Sequence, residues 1–153
     1  MSTDMQTAKI DHTQRQRWMQ VLARAGQDLG DYSDILRGQA FRHVRQPETG
    51  MVMVRGRMGG DGAPFNLGEM SVTRCVVQLR DGTTGYSYVA GRSIEHAELA
   101  ALADALLQGA EGSRWQADLI DPLQALQHTR AALRDGQAAA TRVDFTTLVR
   151  GED

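Results

Sequence analysis

Between Met51 and Leu79 the chain concentrates residue types able to hold an anion. Arg55 and Arg57 are two apart, so on a strand they share a face. Two guanidinium groups on one face can grip phosphate oxygens through paired hydrogen bonds. Gly59, Gly60 and Gly62 follow at once. Successive backbone N–H groups in a glycine-permitted bend form an anion-binding concavity. The plainer alternative is a wide turn flanked by solvated or salt-bridged arginines, which is the commoner outcome for a lone glycine cluster. The bend is not a Walker A loop, because no Gly-Lys-Ser/Thr follows it. It is not a dinucleotide fingerprint either, because a strand-like segment follows instead of a helix.

Asn66, Glu69 and Arg74 complete the candidate set. Glu69 and Arg74 are five apart and face opposite sides of a regular strand, so they do not pair directly. Glu69 is suited to act as a base, to bind a ribose hydroxyl, or to satisfy a nearby arginine or loop amide. Arg74 lies within an apolar strand, so it must sit at an edge or have a partner, since an unpaired buried charge is costly. Cys75 reads as a packed thiol: no helix N-terminus or nearby His lowers its pKa. His12, His43, His96 and His128 lack metal-ligand spacing. His96 beside Glu98 is the best placed of them, with a structural bond to a carbonyl or carboxylate favoured. One cysteine cannot hold an iron–sulfur cluster or form an internal disulfide. These observations fix no catalytic residue and predict no metal or resident cofactor.

The elements that carry these residues follow from the period of the apolar positions. The chain has 153 residues, 41% hydrophobic and 24% charged, with a formal net charge of −2. That suits a soluble globular fold and gives no general attraction to nucleic acid. No apolar run approaches the roughly 20 residues of a membrane span, and the N-terminus does not read as a signal peptide. The expected location is the cytoplasm. Residues 1–10 read as a flexible tail, and 11–153 as one domain.

Asp11 is a predicted N-cap with Gln14 at the capping-box position, and Trp18, Val21, Leu22 and Ala25 form an apolar stripe ending at Gly26. Leu29, Tyr32, Ile35 and Leu36 predict a second short helix. From Phe41 the period changes. Strands are expected at 41–45, 51–54, 69–79 and 86–89, with Pro47-Glu48-Thr49-Gly50 as a turn. Ser93 caps a helix apolar around its girth, which calls for cover from the sheet and from a further surface such as a partner. Asp121-Pro122 reads as the N-cap and first residue of a last helix, weakened at Gly136. The expected fold is therefore α+β: N-terminal helices, a four-stranded mainly antiparallel sheet, then C-terminal helices. Residues 141–153, with Val143, Phe145, Leu148 and Val149 needing burial, either close the sheet or form a docking segment.

The run Arg55-Gly-Arg-x-Gly-Gly-x-Gly-x-Pro-Phe-Asn-Leu-Gly-Glu-Met-x-Val-Thr-Arg74 resembles the PhnG family, the G subunit of the bacterial carbon–phosphorus lyase complex. The likeness continues in Gly85-Tyr86-x-Tyr88-Val89-x-Gly91-Arg92, His96-Ala97-Glu98 and Asp104-Ala105-Leu106. It returns in Arg142-Val143-Asp144-Phe145 and Val149-Arg150-Gly151. It departs from the family pattern at Ser93, where Asp is usual, and at Thr146-Thr147-Leu148, where an aromatic and a Met are common. The resemblance implies a subunit working with the H, I and J subunits and the L protein. It further implies support for a step in which a phosphonate displaces the base from the ribose of ATP or GTP. Any radical chemistry would then belong to another chain, and no cofactor to this one.

Overall fold

The structure is a computed structural model that describes residues 11–57 and 62–141. Helix α1 (His12–Ala25) starts where Asp11 accepts a hydrogen bond from the Thr13 amide at 3.0 Å. Its buried residues are Trp18, Val21, Leu22 and Ala25, the predicted stripe. Gly26 ends it at φ 55°, a left-handed conformation that favours glycine. A 3-10 turn (Gly26–Tyr32) and the short helix α2 (Ser33–Arg37) follow. Leu29 and Leu36 are buried, whereas Ile35 faces solvent.

Among the described residues the sheet has three strands, not the expected four: β1 (Phe41–Arg57), β2 (Pro64–Leu79) and β3 (Thr84–Ala90), antiparallel in the order β1-β2-β3. The two short strands expected at 41–45 and 51–54 are one long strand. The Pro47–Gly50 stretch does not turn, because β2 is long enough to pair with both runs. The irregularity is absorbed as register shifts between His43 and Arg45 and between Arg45 and Glu48. Pro47 lacks a ladder donor and is tolerated at such a bulge on an edge strand.

Helix α3 (Ile94–Leu107) lies across β2 and β3 and is buried on nearly every side. Ser93 caps it, accepting from the His96 amide at 3.2 Å. The sheet covers one side; α1, α2 with the preceding turn, and α4 (Gly112–Trp115) cover others. Its apolar girth is therefore satisfied largely within the chain, and a partner is not needed to bury it. The approach to β3 is close: a Cβ on Gly85 would lie 2.0 Å from the Ala101 carbonyl oxygen. After α4 a π turn (Gln116–Ile120) runs directly into α5 (Asp121–Ala140). Asp121 is thus not an N-cap. It is already helical, and its side chain accepts from Gln116 Nε2 at 3.0 Å. Gly136 stays within α5.

Candidate functional site

β3 pairs with β2 only from Val72 to Gln78. Beyond that span β1 and β2 continue, without a third strand among the described residues, as a two-stranded arm, Met51 to Arg57 against Pro64 to Ser71. Its root is pinned by the residues after β3. The Gly91 amide donates to the Ser71 carbonyl at 2.8 Å, the Thr73 hydroxyl donates to the Gly91 carbonyl at 2.7 Å, and Arg92 Nε donates to Ser71 Oγ at 3.3 Å.

Strand alternation divides the arm into two faces. One carries Val52, Val54 and Gly56 against Met70, Leu67 and Phe65, and is wholly apolar. Leu67 occupies a bulge opposite the Val54–Arg55 step and folds over Gly56, where a Cβ would meet Leu67 Cδ1 at 2.8 Å. The second face carries Met51, Met53, Arg55 and Arg57 against Ser71, Glu69 and Asn66. Large apolar side chains stand in solvent on both faces: Met51 is 54% exposed, Phe65 42% and Leu67 63%. An isolated two-stranded ribbon is marginal in water, and clustered exposed apolar groups mark interaction surfaces.

The arm gathers most of the sequence-predicted site but not all of it. Arg55 and Arg57 share the methionine-bearing face, and neither forms an ion pair among the described residues. Asn66 lies directly opposite Arg55, and Glu69 opposite Met53. Gly62 sits in the bend before β2. Gly59 and Gly60 lie outside the described residues, so the amide nest expected there has no described geometry; of the segment 141–153, expected to close the sheet or to dock, only Thr141 lies within them. Arg74 is separate. It belongs to the three-stranded body and bonds Glu48 Oε1 at 3.2 Å, an oxygen that also faces Arg45 Nε at 3.6 Å. Exposed pairs of that kind contribute only ~0–1 kcal/mol.

The other groups able to do chemistry are engaged inside the fold. Cys75 is fully buried, and burial pushes its thiol up to about 11, which disfavours the thiolate at neutral pH. His96 Nε2 bonds the Leu22 carbonyl at 2.7 Å, the structural role expected of it. His43 Nε2 and Arg37 Nε each reach Glu98, at 2.9 and 3.0 Å. Asp104 was not singled out as a site by sequence reasoning. It is fully buried and accepts from Arg15 Nε and Nη2, Trp18 Nε1, the Tyr86 amide and Gln108 Nε2, at 2.8 to 3.2 Å. The bonds it donates to Asp104 hold the Arg15 guanidinium above its ordinary pKa. The available signal was a lone carboxylate inside the apolar run Leu99–Leu107. Among the described residues no cluster of ligating side chains can hold a metal ion.

The family model described as "Phosphonate metabolism protein PhnG" matches residues 13–151. The chain belongs to the PhnG family. A relative from Rhizobium meliloti (strain 1021), described as "Alpha-D-ribose 1-methylphosphonate 5-triphosphate synthase subunit PhnG", is 43% identical over 144 residues, covering 92% of this chain and 91% of that protein.

Several PhnG-like blocks in the sequence acquire internal roles in the structure. Gly85-Tyr86 meets Asp104-Ala105 where β3 packs on α3, and His96 and Glu98 tie α3 to α1 and β1. Arg55–Arg57 and Pro64–Met70 are different. Their side chains form the arm and contribute little to the buried core. No described helix is long and apolar enough to cross a membrane.

Proposed function

We propose that this PhnG-family chain is a docking subunit of an alpha-D-ribose 1-methylphosphonate 5-triphosphate synthase and does not catalyse the reaction by itself. The observation that carries this reading is its 43% identity, over nearly the whole of both chains, to a protein named as a subunit of that synthase. In the reaction a phosphonate oxygen bonds to the anomeric carbon of the ribose of ATP or GTP. The N-glycosidic bond breaks, and the base leaves with the bonding electrons and takes up a proton. The triphosphate stays on the ribose. The H-, I- and J-type subunits and the L protein are the partners.

At the arm the geometry favours docking over independent phosphate binding. The described titratable groups in the core are committed to internal bonds, while the arm leaves apolar side chains uncovered on both faces. Arg55 and Arg57 at the arm's outer end then face a partner or the phosphates held by it. Base release from ATP tests this, measured with the chain alone and with all partners. The chain alone should release none, and the full set should release base only when the chain is present. Arg55→Gln with Arg57→Gln should reduce release or assembly. Full-rate release by partners lacking the chain would overturn the reading.

A further inference from the structure

A second basic feature lies away from the arm, in the groove between α1 and α5. It encloses about 670 Å³, within the usual range for small-molecule sites. Arg17 and Arg24 line one wall; His128, Arg130 and Arg134 line the other. Val21 contributes an apolar lining, and Gln20 and Gln124 add amides. Gln127 is committed, donating to the Val21 carbonyl at 2.9 Å. Among the described residues, Asp28 is the one acid in ionic contact with these arginines, and it holds only Arg130. Arg17, Arg24 and Arg134 have no such partner there.

This concentration of positive charge stands against a chain of net charge −2, so bulk composition does not account for it. Arg17 and Arg24 are two turns apart, about 10 Å along α1, and Arg130 and Arg134 one turn apart, about 6 Å along α5. A single phosphate reaches only part of this array. A linear chain of phosphates, charged along its length, can meet guanidinium forks on both walls. We propose that the α1–α5 groove binds a small molecule carrying a di- or triphosphate chain, with Arg17, Arg24 and Arg134 as its cationic contacts. None of these residues lies on the arm, so failure here leaves the docking reading intact.

Calorimetric titration of the full chain at physiological salt tests the site, with inorganic tripolyphosphate, ATP, inorganic phosphate and a hexaglutamate peptide as probes. Tripolyphosphate should bind at a single site and far more tightly than phosphate. Arg17→Gln and Arg24→Gln should each weaken it roughly tenfold, the loss expected for one charged hydrogen-bonding contact. Arg134→Gln, on the opposite wall, should do the same and serves if an α1 variant fails to fold. ATP binding more tightly than tripolyphosphate assigns Gln20 and Gln124 to the nucleoside; equal binding confines recognition to the phosphate chain, and both uphold the site. No tripolyphosphate binding, binding unchanged in all three variants, or preference for the glutamate peptide would overturn it.

Discussion

The helix-covered body and the two-stranded arm are continuous along β1 and β2, yet they treat their side chains in opposite ways. In the body, α3 is enclosed, and among the described residues no buried side-chain nitrogen or oxygen lacks a hydrogen-bond partner. The fully buried carboxylate Asp104 is met by donors from α1, β3 and α3 itself. On the arm, among the described residues, the strands pair with each other alone, and Leu67, Met51 and Met53 face solvent. The body is a finished core, whereas the arm is half of one. On the proposal that the arm docks a partner, stability and assembly reside in different residues, and substitutions should separate them.

The largest effect on the body should come from Asp104→Ala. It removes the shared acceptor and strands the Arg15 charge and the Trp18 N–H, a loss of ~3–5 kcal/mol for breaking a buried pair. Urea unfolding of the isolated chain measures it, and any loss of assembly should track unfolding. Gly85→Ala comes next. The new methyl would collide with the Ala101 carbonyl and with the backbone nitrogen of Ala105, 2.7 Å away, so β3 must move off α3. Overpacking of that kind costs ~1–3 kcal/mol, and backbone contacts relax poorly. Cys75 gives a smaller and kinetic signature. With its pKa raised to about 11 and its side chain covered, it should resist iodoacetamide at pH 8 in the native chain and react readily once urea unfolds it. Fast native labelling would mean that the sheet and α3 separate more easily than their packing implies.

Much of the body was legible in sequence because its signals are local. Asp11, the stripe Trp18–Ala25, Gly26 and the Ser93 cap each act within one or two helical turns. The strand count failed at Pro47–Gly50, where turn chemistry was overridden by pairing with a β2 long enough to serve both halves of β1. The Asp121-Pro122 start failed because a π turn carries the helix through it. Asp104 stayed hidden because its donors lie up to 89 residues away, beyond any sequence window. At the candidate site, alternation placed Arg55 and Arg57 on one face correctly. It did not separate Arg74, whose partner Glu48 is set by strand register. Nor was the apolar face of Val52, Phe65 and Leu67 evident, since the Leu67 bulge changes which residues share a side.

The smallest effect on the body should come from the arm, and there the account is most exposed. The variant Phe65→Ser with Leu67→Ser removes two large side chains from the apolar face while leaving the core untouched. The chain's own unfolding free energy should shift by no more than ~0.5 kcal/mol, as for surface sites generally. Association should weaken by ~2 kcal/mol or more if these are buried anchors. The deciding measurement is light scattering of the variant mixed with H-, I- and J-type subunits. The account predicts that the wild-type chain joins the assembly, while the variant remains folded and elutes apart from it. A variant that assembles as the wild type does would contradict the claim that the arm is the docking surface.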